Sequence, residues 1–497
     1  MVLLLLTNLS YAAKILLIPF HHGAHIIEFA IIGQTLKHRG HVVYEIVADK
    51  YSNLVTDRGI DALQPNITHQ LSISERMIKD GSINSMFSTL PKVAAMCNQH
   101  VSEIMEDSVL MKKLAEKQFD LVSIDGFDMN RAAYIIPYKL SLRYISLSPR
   151  PDPWVVRVPA FPSVEGMHPI VLLTEESNIF HRLLNGISYL MAYLFLVELS
   201  PFHDDSLLTK FVPEKENIGI LGLYKASQMF LVQSNIYCLD ELRVSAPHYQ
   251  YIPSIGGTEP KPLPMEISEI FNKSQHGVIV LTFGSAFRDI PHEMMMKMLT
   301  VFRKVKYDVI LRHTGAKPDS LPSNMHIMQW LPQNDILRHP MTKLFITHVG
   351  LNGLLEAIYH GVPMLMMPLS SDQFGNAQKA EAKGYGIILD SNLFTPKDLE
   401  EAINNLMENP TFRNNIKNCS AITKSLPAGH DTVAFWVEHI LRFGGSHLKP
   451  YYLDTPLWKF LMVDVFLVVC IVCIVLVWGC KLCFGLCCRK VPHQKTE

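Results

Sequence analysis

Short apolar runs ending in polar turns, each followed by a stretch of helical composition, recur along this chain. Lys14 to Phe20 reads as a buried strand, Ile26 to His38 as a helix closed by Arg39-Gly40, and Val42 to Val47 as the next strand. Phe119 to Ile124 and Val278 to Thr282 have the same strand-like character. The pattern is densest further on: strand Leu344 to Thr347, turn His348-Val-Gly350, helix Leu351 to Tyr359 ended by Gly361, strand Pro363 to Met367, and a helical stretch from Phe374 to Lys383. Repeated β-turn-α-β units predict parallel sheets, whose ligands bind beyond the carboxyl ends of the strands, where these polar turns fall. Gly256 to Pro264 is rich in turn-formers and separates two halves of this kind. The expected organisation is a first domain over 14–255, a linker over 256–264 and a second domain over 265–445.

The second half carries Trp330-Leu-Pro-Gln333, Thr347-His348-Val-Gly350, Asn352, Glu356 and Asp372-Gln373. Asn352 and Glu356, four apart, share one helix face. The exposed N–H groups of a helix start favour an anion, and Gly350 permits close approach by a phosphate. Taken singly, Trp330 reads as packing and Asp372-Gln373 as turn residues; their order and spacing together favour a site. This block resembles the donor-binding signature of the UDP-glycosyltransferases, in particular the animal membrane-bound UDP-glucuronosyltransferases, and the similarity extends over nearly the whole chain.

The resemblance implies an α/β fold of two Rossmann-like domains facing a cleft, the GT-B architecture, plus a carboxyl-terminal transmembrane helix. It also implies roles for named residues. Trp330 would stack on uracil, Gln333 would bind near the base and ribose, and Glu356 would accept from ribose hydroxyls. His348, Asn352 and Ser285 would contact the diphosphate, Gly350 would let it approach, and Asp372 and Gln373 would hold the transferred sugar. An aromatic face for a base, a carboxylate for a diol and a donor for an anion suit these tasks. Val349 stands where the family often has glycine.

His21, His22 and His25 all lie in the turn after the first strand. The family's general base follows a Gly-Ser pair there; Gly23-Ala24-His25 matches, so the resemblance favours His25. A helix-start position is expected to favour the neutral imidazole. Asp125, at the end of the Phe119-Asp-Leu-Val-Ser-Ile124 run, matches the family's catalytic aspartate, which would orient the base and stabilise its cation. Asp128, the competitor, reads as a solvated turn residue. The implied reaction is in-line displacement with inversion at the anomeric carbon. No Asp-x-Asp occurs in the chain, so neither a catalytic metal nor any cofactor is expected, the UDP-sugar being a co-substrate.

Length and composition fit this picture. The 497 residues, 48% hydrophobic, supply two cores, and a net charge of −1 gives nucleic-acid binding no electrostatic support. Val463 to Trp478 is almost wholly apolar; with Leu457 to Met462 it reaches spanning length, and we expect a transmembrane helix over 457–480. Lys481, Arg489, Lys490 and Lys495 then mark 481–497 as a basic cytosolic tail. Residues 1–13 resemble a short secretory signal without a basic start. Together these describe a type I, single-pass protein with its bulk in the lumen, and the resemblance implies the endoplasmic reticulum membrane.

Asn66-Ile-Thr68, Asn272-Lys-Ser274 and Asn418-Cys-Ser420 are candidate glycan acceptors. Only Cys97, Cys238 and Cys419 precede the membrane segment, which argues against a disulfide framework. Cys480, Cys483, Cys487 and Cys488 crowd the membrane boundary, where palmitoylation would fit.

The acceptor region is the least distinctive part. Pro149 to Pro169, with Trp154, Phe161 and Met167, suits an irregular apolar wall, and Ile187 to Val197 is strongly apolar, fit for core packing or a membrane surface. The expected activity is inverting transfer of a sugar, glucuronic acid before glucose, from a UDP-sugar to a hydroxyl of a small lipophilic acceptor. Its rival is a catalytically silent relative that binds UDP-sugar or partners an active transferase, as a homo- or hetero-oligomer; the intact His25 and Asp125 favour the enzyme. Arg288, near the Gly-Ser turn, could face a sugar carboxylate.

Overall fold

The computed structural model describes residues 12–68, 83–149, 155–158, 178–194, 197, 199–240, 244–257, 261–284, 290–318, 320–370, 372–460 and 462–487. The calls on the signal peptide, Ser285, Arg288, Trp154, Phe161, Met167, Cys488 and most of the tail lie outside these residues. Contacts divide the chain into two compact units, Met1–Leu448 and Lys449–Glu497.

The first unit holds two parallel sheets. One has seven strands, β1 (Lys14–Ile18), β2 (Val42–Ile46), β3 (Asp61–Leu63), β4 (Leu121–Asp125), β5 (Tyr144–Ser148), β6 (Phe230–Gln233) and β7 (Tyr249–Ile252), in the order 3-2-1-4-5-6-7. The other has six, β8 (Val278–Thr282), β9 (Asp308–Arg312), β10 (Met325–Met328), β11 (Thr342–Thr347), β12 (Met364–Met366) and β13 (Gly386–Ile388), in the order 10-9-8-11-12-13. In each sheet the strand order reverses once, between β1 and β4 and between β8 and β11. Those switch points are where such sheets open a crevice, and the turns singled out in the sequence lie at them.

The helices that bear on the site are α1 (Gly23–His38), α2 (Ile179–Tyr193), α3 (Gln333–Arg338), α4 (Leu351–His360), α5 (Gln373–Ala382), α6 (Pro410–Ser425) and α7 (Gly429–Phe443). Strands buried on both faces explain the continuous apolar runs. Leu16 and Ile18 enter one core with Val122 and Phe230, while Ile15 and Leu17 enter another with Leu121 and Leu231. The second core also takes Val433, Ala434, Val437 and Ile440 from α7, so this late helix returns to the first sheet. Gly429 is required there, since a Cβ would stand 2.3 Å from the Pro253 carbonyl oxygen. Val280, Phe345 and Met364 pack on one face of the second sheet, and Ile279, Leu344 and Leu365 on the other.

Two expectations change. Cys238, beyond β6, and Cys419, in α6, form a disulfide spanning 181 positions, so the small number of cysteines did not preclude a bridge. Cys97 is a buried free thiol whose pKa burial pushes up to about 12. In the second unit the apolar helix α8 runs Val463–Cys487, and Leu457–Phe460 is a separate short turn, because Met462 takes a positive φ of 54°. Among the described residues, α8 is the one helix long and apolar enough to cross a membrane, over Val463–Phe484.

Helix α2 exposes Ile179, Phe180, Leu183, Leu184, Ile187 and Leu190. Of the glycan tripeptides, Asn66 lies in an exposed loop, whereas Ser420 is buried in α6 and donates its hydroxyl to the Tyr359 carbonyl at 2.5 Å.

Candidate active site

β1 ends at Ile18, and the chain turns through Phe20 to His22, the residue that caps α1. That places His25 in the first helical turn. β4 ends at Asp125 on the neighbouring strand, and the two side chains meet: His25 Nδ1 lies 2.6 Å from Asp125 Oδ2. Asp125 is 1% exposed and is held by two further donors, the Phe20 N–H at 3.1 Å to Oδ2 and the Phe127 N–H at 2.9 Å to Oδ1. Three hydrogen bonds to one buried carboxylate fix its position. With Nδ1 engaged, Nε2 is the ring nitrogen left to take a proton. The Phe20 and Phe127 rings flank the imidazole, at 5.4 and 5.3 Å between centroids.

Burial opposes a charge on His25, but the Asp125 anion and its hydrogen bond outweigh it, and Glu28 and Asp372 add to the effect. The His25 pKa is raised. The helix-start position had been expected to favour the neutral ring; nearby carboxylates prove stronger than the helix dipole.

The other turn histidines are engaged elsewhere. His21 places Nε2 3.1 Å from the Ile46 carbonyl and Nδ1 2.5 Å from His100 Nε2, and burial lowers its pKa. His22 caps α1. Asp128 is buried at the start of a 3-10 turn, so it is not the solvated residue expected.

At the second switch point His348 follows β11. Its imidazole fits between two glycines: a Cβ at Gly284 would stand 2.6 Å from Cε1, and one at Gly350 2.6 Å from Nε2. Gly284 and Val349 both have positive φ, 74° and 63°. For a β-branched valine this is a sparsely populated conformation, at the position where the resembling family often has glycine. Burial pushes the His348 pKa down to about 4, so near neutral pH it offers a hydrogen bond rather than a charge.

Gly350 caps α4, Asn352 stands in the first turn, and Glu356 follows one turn later. Gln333, first residue of α3, donates from Nε2 to Glu356 Oε2 at 2.5 Å. Burial raises the Glu356 pKa to about 7. A Cβ on Gly256 would stand 3.2 Å from Glu356 Oε1, and one on Gly257 2.6 Å from the Tyr359 ring, so this glycine pair lets the connection between the sheets run directly over α4. Trp330, between β10 and α3, is 62% exposed. An exposed indole is available to stack on a ligand base.

Asp372 caps α5 and receives Asn376 Nδ2 at 2.9 Å; the same amide nitrogen lies 3.1 Å from the Val349 carbonyl. Gln373 is differently employed. Its Oε1 accepts from the Leu369 and Ser370 N–H groups at 2.8 and 3.0 Å, and its Nε2 donates to Ser370 Oγ at 3.4 Å. The side chain shapes its own turn, leaving Asp372 as the more accessible of the pair. That Asp372 acts on the charge of His25 brings the ends of the two sheets to one locality.

Two residues not singled out in the sequence belong to this locality. Glu28, one turn after His25 on α1, accepts from Gln233 Nε2 at 3.1 Å, and that nitrogen is 3.5 Å from Asn352 Oδ1. Gln233 ends β6, an apolar run in which a terminal amide carries no distinguishing signal.

Comparison with known proteins agrees with this arrangement. The family described as "UDP-glucoronosyl and UDP-glucosyl transferase" matches residues 13–496. The chain is 28% identical to mouse (Mus musculus) UDP-glucuronosyltransferase 1A7, over 97% of this chain and 94% of that protein. It is 29% identical to human (Homo sapiens) UDP-glucuronosyltransferase 1A1, over 92% of this chain and 88% of that protein. Among solved structures, the spinosyn forosaminyltransferase SpnP is similar with a TM-score of 0.61 at 19% identity, covering 86% of this chain and 99% of that one. The calicheamicin glycosyltransferase CalG4 is similar with a TM-score of 0.58 at 16% identity, covering 87% and 100%. These likenesses establish the GT-B architecture. With the family match extending over residues 13–496, the chain belongs to the UDP-glucuronosyl and UDP-glucosyl transferases.

Proposed function

We propose that this protein transfers a sugar from a UDP-sugar to a hydroxyl of a small lipophilic acceptor, with inversion, glucuronic acid being the first choice of sugar and glucose the second. The observation that carries the reading is the 2.6 Å contact of His25 with the buried Asp125. Asp125 fixes the ring with Nδ1–H toward itself, His25 Nε2 removes the acceptor proton, and the oxygen attacks the anomeric carbon as UDP departs from the opposite face. The imidazolium formed is stabilised by the Asp125 charge, the role a buried carboxylate plays best.

Trp330, Gln333 and Glu356 would bind the uridine, and Asp372, with Gln373 shaping its turn, the sugar. The departing diphosphate would meet the α4 N-terminus at Gly350, the Asn352 amide, His348 and Ser285. The first three of these are oriented dipoles, effective in a site from which water is excluded. The mechanism invokes no metal and no cofactor. Glucuronic acid is ranked first because the similar mouse and human proteins are named UDP-glucuronosyltransferases.

The domain division at 256–264, a lumenal bulk, a basic cytosolic tail and residence in the endoplasmic reticulum membrane form part of the same proposal. The bilayer is then a partner through α8. Membranes carrying the full chain, given labelled UDP-glucuronate and UDP-glucose with phenol and steroid acceptors, test the reading. Transfer from UDP-glucuronate is expected. Transfer from UDP-glucose alone would reverse the ranking, and no transfer from any UDP-sugar would refute the activity.

A further inference from the structure

A buried carboxylate outside the expected dyad joins the base helix to the donor side. Glu28 is 5% exposed and lies three residues after His25, so the two share a face of α1. Gln233, 2% exposed, donates to Glu28 at 3.1 Å, and its Nε2 is 3.5 Å from Asn352 Oδ1. Asn352 also favours the Glu28 anion. Helix α1 and strand β6 belong to the first sheet's half of the fold and α4 to the second's, so this trio bridges the base and the helix start expected to receive the diphosphate.

We propose that Glu28 is a positioning residue for transfer, holding the Gln233 and Asn352 amides across the cleft and placing a second negative charge one helical turn from the general base. The proposal rests on the transferase reading above. The Asn352 amide that faces Glu28 is the one a diphosphate would need, so Glu28 keeps it oriented until donor binds.

The charged and titratable groups around the pair are few. Asp125 from β4, Glu28 from α1 and Asp372 at the start of α5 all favour the His25 cation, while His22 stands 6.1 Å away between ring centroids. Glu28 in turn faces His25, Asp125 and, from α4, Glu356. Burial raises the Glu28 pKa to about 7, against the pull of His25 and the two amides, so its charge changes in the range where the base works.

The test is the pH dependence of kcat/KM, measured with the full chain in membranes, a labelled UDP-sugar that the wild type accepts, and a phenol acceptor. Glu28→Gln removes the charge and keeps the size. Its acid limb is expected to move down by roughly 0.5–1 pH unit, because the base loses one of the anions that raise its pKa. Glu28→Asp, which retains the charge, is expected to keep the limb within about 0.3 unit of the wild type. An unmoved limb in Glu28→Gln would overturn the electrostatic role whatever the loss of rate.

Gln233→Ala lies off α1 and serves if Glu28→Gln does not fold. Its KM for donor is expected to rise about tenfold, the effect of one buried hydrogen bond lost from the donor side, and an unchanged KM would overturn the link to Asn352. If the wild type transfers from no UDP-sugar, the proposal falls together with the transferase reading. If the wild type is active and the limb and KM stay fixed, only the role of Glu28 falls.

Discussion

Thr282 and Thr347 are register partners on adjacent parallel strands, and each hydroxyl accepts the backbone N–H two residues further on, Gly284 and Val349 respectively, both at 3.2 Å. The two strands therefore end in matching turns, each passing through positive φ, with His348 enclosed between them. Gly284→Ala would force a Cβ to within 2.6 Å of the imidazole at φ 74°. We expect a stability cost of about 1–2 kcal/mol and at least roughly tenfold weaker UDP binding by calorimetry, since one charge-assisted donor contributes about that much. Undiminished UDP affinity would separate His348 from the donor site.

Asp125→Asn retains the shape of the side chain but not its charge. The raised His25 pKa places the acid limb of kcat/KM above the ordinary imidazole value of 6.5, because only the neutral ring can accept the proton. Loss of the Asp125 charge should lower that limb and reduce kcat/KM by about 10²–10⁴-fold. A rate loss with the limb still at its original pH would mean that Asp125 acts only through packing.

The Cys238–Cys419 bridge closes a loop of 181 positions and ties the segment after β6 to α6. Chain entropy gives such a loop a stabilisation of about 5 kcal/mol at most, with about 2–4 kcal/mol the usual yield. Cys238→Ser and Cys419→Ser should each lower the unfolding midpoint by a similar amount, and the double variant should be no worse than either. Additive losses would show that the cysteines contribute separately and not as a bridge.

Glu45, on β2, is fully buried, and neither carboxylate oxygen has a hydrogen-bond partner among the described residues. Burial raises its pKa well above 4.5, more than the nearby Arg58 lowers it. A carboxyl that is harder to ionise when folded destabilises the fold progressively as pH rises above its unfolded pKa. Glu45→Met should therefore stabilise the protein by roughly 1–3 kcal/mol, the cost of an unsatisfied buried group, and by more at about pH 8 than at about pH 5. Thermal unfolding at the two pH values checks this; a loss of stability at both would mean that Arg58 compensates the charge.

The sheets were legible because strands buried on both faces are unbroken apolar runs, and Val278–Thr282 is recovered to the residue. Gly361 closed α4 as expected, with φ 70°. His25 and Asp125 were picked out by the family resemblance, since the pattern alone put three histidines in the turn after β1 and an aspartate at the end of β4 without choosing among them. Glu28 and Gln233 could not be read, since they are 205 positions apart and each is an ordinary residue of its own element. The Cys238–Cys419 pairing was likewise hidden, because spacing of 181 residues carries no local signature. The preference of His25 for its cation needed the surrounding carboxylates, which no local pattern supplies.

The most direct test of the dyad compares His25→Ala with the wild type in two assays, turnover of the preferred UDP-sugar and equilibrium binding of UDP. If His25 is the general base, turnover falls by about 10²–10⁴-fold while UDP affinity stays within about threefold, because the uridine and diphosphate contacts lie elsewhere. Unchanged turnover with UDP still bound would remove His25 from the chemistry and leave the chain a member of its family with a different catalytic arrangement.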